Sequence, residues 1–169
     1  MDAIAYIQRE VDGLRQQTNM ILKETTDEQL NWAPPGIANP IGVTLLHTIG
    51  GEDLFVQQWL QGKPCLWESG NWSERIGVEV APREGRGWEE CRKAHLSLAP
   101  IMEYQEAVCS ATAGYISSLT PEDLDRKIML FGREQPLANV LVIVVNHVIV
   151  HMGEIATLKG IQGVKGLPF

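Results

Sequence analysis

The stretch at 137–158, LANVLVIVVNHVIVHMGEIATL, limits what this 169-residue chain can fold into more than any other. It is almost wholly apolar and carries no charged residue before Glu154. Such a segment is either a core helix or a membrane span. The part at 137–152 falls short of about 18 clean apolar residues and holds Asn139, Asn146 and two histidines, so a buried helix is expected. At about 100° per residue, Val140, Ile143, Val144, His147, His151, Glu154 and Leu158 lie within roughly 60° of His147 on one stripe. An apolar stripe faces a core, where an unpaired polar group costs on the order of a few kcal/mol. Two imidazoles and a carboxylate set into it therefore need partners. Histidines at i and i+4 can chelate a divalent cation from one helix face. Two core histidines hydrogen-bonded to neighbouring side chains satisfy the same pattern.

Other segments supply further helices. Ile4, Ile7, Val11, Leu14, Ile21 and Leu22 have helical spacing, which predicts a first long helix from Asp2 to about Glu24. Thr26 with Gln29 forms a capping box that opens one short turn, closed by Pro34-Pro35-Gly36. The second long helix starts with Asn39 as N-cap and Pro40 in first position, and runs past His47 and Trp59 to Gly62. His47 shares a stripe with Val43, Thr44, Gly50, Gly51, Leu54 and Gln58. Each glycine inside a helix costs about 1 kcal/mol relative to Ala, so Gly50-Gly51 implies close approach of another helix or a ligand beside His47.

Residues 63–87 break the pattern with prolines, glycines, Trp67 and Trp72. Ile76-Gly-Val78-Glu-Val80 alternates weakly, as a short strand would. A link of this length is a functional lid or a crossover pinned by its tryptophans. A short helix at 88–95 follows. Ser97 then caps a third long helix that runs to Leu119, with Pro100 in its first turn. Thr120-Pro121 repeats the Thr cap. Residues 127–134, pivoting at Gly132, form an extended turn before Pro136 opens the final helix, which stops at Gly160. The whole is expected to be one all-α domain, residues 1–169. It is a four-helix bundle with a long crossover, 63–96, between its second and third helices. A Thr-capped turn followed by a Pro-started, histidine-bearing helix occurs twice, at 26–52 and 120–154, which suggests a two-fold arrangement of helix pairs.

Three of the four histidines, His47, His147 and His151, lie in apolar helical runs. If the second and fourth helices face each other, three imidazole nitrogens converge on one ion and leave a fourth position open. Glu154, on the same stripe, either orients His151 or reaches solvent. Several other groups suit a site. Asn146 and Gln58 can hydrogen-bond a ligand, and Cys91 with His95 makes a second i, i+4 pair, set among charged residues. Trp59, Trp67, Trp72 and Trp88 can line a pocket, and Arg83, Arg86 and Arg133 can hold a carboxylate.

The net charge of −7 and the lack of a Lys/Arg cluster argue against nucleic acid and anionic lipid as partners. Three cysteines without CxxC spacing fit a reducing compartment. The first residues, MDAIAYIQRE, lack a signal peptide's apolar core. The expected address is the cytoplasm.

The chain resembles the DinB-like (DinB/YfiT-like) family over nearly its whole length. The resemblance is carried by Thr26-Asp-Glu-Gln-Leu-Asn-Trp32, Ala38-Asn-Pro-Ile-Gly-Val-Thr-Leu-Leu-His47, Gly51-Glu-Asp53, His147-x-x-x-His151-Met-Gly-Glu154 and the ending Gly163-Val-Lys-Gly-Leu-Pro-Phe169. It implies a divalent metal, often zinc or nickel, held at the positions of His47, His147 and His151. It also implies a homodimer and a thiol-dependent transferase or isomerase acting with glutathione, mycothiol or bacillithiol. A metal-bound thiol is held as thiolate, the nucleophile such reactions need. Nothing in the sequence picks out a particular thiol. Metal-dependent hydrolysis and a non-catalytic metal- or ligand-binding stress module remain open beside it, as does an interaction bundle with structural histidines, because fold does not dictate activity.

Overall fold

The computed structural model describes residues 2–167. Met1 and the last two residues of the terminal motif, Pro168 and Phe169, lie outside the described residues. The first long helix, α1 (Ala3–Leu22), is capped by Asp2, whose side chain accepts from the Ala5 amide. The Thr26–Gln29 capping box opens α2 (Asp27–Asn31) as the sequence predicts, with both reciprocal hydrogen bonds made. α3 (Ile41–Asp53) begins one residue later than expected. Pro40 occupies the N-cap position and its carbonyl takes the first intrahelical bond, from Thr44. Asn39 instead accepts from Arg92 Nε at 2.7 Å.

After Asp53 the helix widens into a π-helical segment, Leu54–Leu60. The residues there advance by less than the α-helical angle, so the stripe drawn from His47 does not continue. Gln58 is accordingly exposed, while Phe55 and Trp59 turn inward.

The crossover is more ordered than its composition suggests. It contains α4 (Leu66–Ser69), α5 (Trp72–Ile76) and α6 (Trp88–Lys93). No strand forms at 76–80. Ile76 ends α5, and Gly77, at φ 85°, takes the left-handed conformation that closes a helix. Trp67 and Trp72 pack on Tyr104 with ring centroids 5.2 and 5.3 Å away, which pins the crossover to α7 (Leu98–Ser117). Ser97 precedes α7 but makes no side-chain cap; Asp27 of α2 accepts from the Leu98 amide in its place.

Thr120 forms a second capping box with Asp123 and opens a 3₁₀ turn, Pro121–Asp125. The expected extended turn is an antiparallel hairpin of β1 (Lys127–Leu130) and β2 (Arg133–Pro136), joined by Phe131-Gly132. The last helix, α8 (Leu137–Ile161), follows Pro136. It passes Gly160 and ends at Gln162, before Gly163 at φ 75°. Lys159 is buried, and its ammonium donates to the carbonyls of Ile21 and Lys23 at the C-terminal end of α1.

The four long helices form a bundle in which α8 packs on α1 and α3, and α7 packs on the same two. This is the expected all-α architecture, with the small hairpin added. One core surrounds Leu30, Ile41, Leu45, Ile101, Tyr104 and Ile155; a second, towards the hairpin, surrounds Val11, Ile116, Leu137 and Leu141. Both histidine-bearing helices follow a proline held extended, at ψ 155° for Pro40 and 146° for Pro136, so the internal echo has a structural counterpart. Among the described residues, α8 alone is long and apolar enough to cross a membrane. One side of it is buried in the bundle, while Val142, Ile149 and Val150 are exposed.

Candidate metal centre

The contact between α3 and α8 brings His47, His147 and His151 together. One ring nitrogen from each lies within 4.8 Å of the others, and this is a set that can hold a metal ion. Gly51 makes the approach feasible. A Cβ there would lie 2.6 Å from His147 Cε1, closer than carbon atoms pack, so any larger residue would displace the imidazole. At Gly50 the same argument applies to Ala81 of the crossover, again at 2.6 Å. The glycine pair therefore serves the approach of a helix on one side and of the crossover on the other.

Hydrogen bonds fix how the rings present themselves. His47 Nδ1 is 2.8 Å from the Pro82 carbonyl oxygen. An oxygen of that kind only accepts, so the proton resides on Nδ1 and Nε2 presents its lone pair. His151 Nδ1 is 3.0 Å from Glu154 Oε2, which assigns its proton in the same way. A backbone carbonyl and a carboxylate are the groups that usually orient metal-binding histidines. His147 Nε2 faces His47 Nε2 at 3.2 Å, while its buried Nδ1 has no hydrogen-bond partner. A tetrahedral ion with bonds of about 2.0–2.1 Å needs donors about 3.3 Å apart, so the His47–His147 spacing is already that of a ligand pair. Burial lowers the pKa of both, His147 to about 4 with the help of its two histidine neighbours. Both are therefore neutral near pH 7, the form that binds metal. The donor set fits a divalent cation.

Aromatic rings surround the cluster. Trp88 of α6 lies 4.7 Å from His47, and Phe55 meets His147 edge-on at 5.8 Å. Of the four candidate pocket tryptophans, Trp88 meets His47, Trp59 is one ring removed from the cluster behind Phe55, and Trp67 and Trp72 are packing residues. Cys91 is buried and donates to the Val80 carbonyl, while His95 is exposed beyond the end of α6, so they make no second pair. Arg83 and Arg86 bond each other's backbone in a tight turn, and Arg133 is exposed on β2. Asn146 is exposed on α8.

Two residues with structural importance for the centre carry no local signal. Pro82 acts only through its carbonyl. Asp53, with no exposed surface, accepts from the amides of Leu66 and Trp67 at 2.9 and 3.0 Å and from the Tyr104 hydroxyl at 2.7 Å. It ties down the crossover that delivers both Pro82 and Trp88. Its place beside Gly51-Glu52 was the only pointer in the sequence.

The family model of the DinB superfamily matches residues 10–155. A solved structure, described as a conserved protein of a locus from Enterococcus faecalis, is similar over 96% of this chain and 99% of that one, with TM-score 0.82 and 20% identity. At that identity the likeness shows the fold alone. No curated protein matches the chain.

Proposed function

Because the chain belongs to the DinB superfamily, we propose that it is a divalent-metal protein that transfers a low-molecular-weight thiol to a small electrophile. The observation that carries this reading is the convergence of three imidazole nitrogens with two of the rings already oriented by Pro82 and Glu154. His47, His147 and His151 would hold the ion, and imidazole donors suit zinc and nickel. A bound divalent cation supplies Lewis acidity that lowers the pKa of a coordinated thiol or water.

The chain's own groups divide the remaining work. Glu154 keeps the proton of His151 on Nδ1 and so keeps the opposite nitrogen available. The Pro82 carbonyl does the same for His47. Trp88 and Phe55 flank the rings of His47 and His147. Cys65, Cys91 and Cys109 are pushed to about 12 by burial, so none supplies a thiolate at neutral pH. A thiol nucleophile must therefore come with the substrate, which favours a bound small thiol over a protein-bound thiolate intermediate.

The partners proposed are small molecules. The net charge of −7 speaks against nucleic acid. A homodimer formed through the exposed apolar residues of α8 and a cytoplasmic address belong to the same proposal. Elemental analysis of protein purified without a histidine tag, followed by assay of thiol consumption with an electrophile, tests the function. Metal at one ion per chain with turnover that His147→Ala abolishes is the expected result. Metal without turnover on a thiol and ester panel would leave a binding module. Ester hydrolysis alone would leave a hydrolase. No metal would overturn the reading.

A further inference from the structure

The hairpin tip breaks a turn rule in a way that folding does not explain. Phe131 and Gly132, with φ 49° and 74°, form a two-residue connection between paired Leu130 and Arg133. Two positive φ values are those of a type I′ turn, which favours Asn-Gly. A bulky side chain in the left-handed region costs about 1–2 kcal/mol. Burial does not repay it, because Phe131 is 69% exposed. Its ring stands edge-on to Trp59 at 5.3 Å. Trp59 packs on Phe55 at 4.8 Å, and Phe55 packs on His147. Three rings thus run unbroken from the metal centre to the solvent-facing tip. A residue that costs stability, stays exposed and extends such a wall is a binding residue by the logic that local rules are broken at functional sites.

We propose that Phe131 and Trp59 form the outer, apolar end of the substrate subsite, and that the molecule bound at the histidine centre carries an aromatic or other flat apolar group that packs there. This rests on the metal reading above and adds the substrate class. Ring faces and edges attract flat apolar groups and offer no cation to a carboxylate.

The variant Phe131→Asn tests it, because Asn is the favoured turn residue. Two thiols, 8-phenyloctane-1-thiol, long enough to carry its ring past Phe55 to Trp59 and Phe131, and 2-mercaptoethanol, are titrated into cobalt-loaded protein, whose visible spectrum reports a thiol entering the ion's coordination shell. The wild type should bind the aryl thiol more tightly. The variant should lose about fivefold to tenfold in affinity for the aryl thiol and less than about twofold for 2-mercaptoethanol. Its metal-free melting temperature should equal or exceed the wild type's. Unchanged affinities, or an equal loss for both thiols, would overturn this proposal alone. A clear drop in melting temperature would assign Phe131 to packing and overturn it as well. Binding of neither thiol by the wild type would overturn the metal–thiol reading, and this proposal with it.

Discussion

The two sides of α3 bury polar groups under opposite conditions. Towards α8, His47 meets His147 and His151, and two of the three rings hold their protons on Nδ1, so their other nitrogens offer lone pairs. Towards α1 and α7, Glu52 meets Arg15 and Gln105 around a cavity of about 30 Å³, with Thr112 beside Glu52. Glu52 Oε1 lies 3.7 Å from Arg15 Nη2, an ion-pair distance too long for a hydrogen bond. Gln105 Oε1 and Thr112 Oγ1 also lack partners. The second cluster mixes donors and acceptors, and water, which is both, can serve it. In the histidine cluster only His147 can supply a donor, to His47 Nε2 at 3.2 Å, and its single N–H cannot serve both other rings, whereas a cation serves all three. Burial alone does not mark a metal site; the uniform sense of its lone pairs does.

Removing one side of that contrast should have the largest effect. His47→Ala or His147→Ala is expected to take metal content, measured by elemental analysis, from about one ion per chain to nearly none, because two ligands rarely retain a structural or catalytic ion. His95→Ala, outside the cluster, should leave it unchanged. Next comes Asp53→Asn. One carboxylate oxygen becomes a donor facing a backbone amide, so urea unfolding should show a loss of about 2–4 kcal/mol. A loss below 1 kcal/mol would mean that the crossover is held by its tryptophans instead.

Acidification sharpens the same comparison. His147 has its pKa lowered from 6.5 to about 4 by burial, so below 6.5 the unfolded chain takes up protons more readily than the folded one. Stability of the metal-free protein should therefore be fully present above pH 6.5 and fall on the order of 2 kcal/mol towards pH 4, allowing for partial solvent screening. His147→Phe should flatten that slope. Gly51→Ala, which places a methyl against His147, should weaken metal binding about tenfold by competition titration while the metal-free fold changes by less than about 1 kcal/mol. The smallest effect is expected at Glu52→Gln. Its shape is kept and Arg15 retains Asp12 at 3.7 Å, so the stability change should stay under about 1 kcal/mol. A larger loss would show that the Arg15–Glu52 pair acts as a tight ion pair despite its length.

Much of this was legible without coordinates wherever the physics is local. The Thr26–Gln29 capping box and the Thr120 cap were readable because the interacting groups are three residues apart. The inward placement of His147 and His151 followed from helical period. Gly50-Gly51 announced a close approach, although which atoms approach it was not written there. Short-range reading failed where a distant partner decided the outcome. Asn39 was drawn away from its cap by Arg92, and Asp27 took the capping role expected of Ser97. The strand expected at 76–80 rested on three alternating residues, too few to outweigh a helix that closes at Gly77.

By itself, then, the sequence determined four long helices, their principal caps and three histidines on apolar faces, because side-chain period and capping are properties of neighbours along the chain. The tertiary structure alone decided which nitrogen of His47 presents its lone pair, since a carbonyl such as that of Pro82 has no residue signature. It also decided that Asp53 anchors the crossover and that the π-helical turn after it aims Phe55 at His147. Those outcomes depend on backbone groups and helix register, which packing sets and residue identity does not encode.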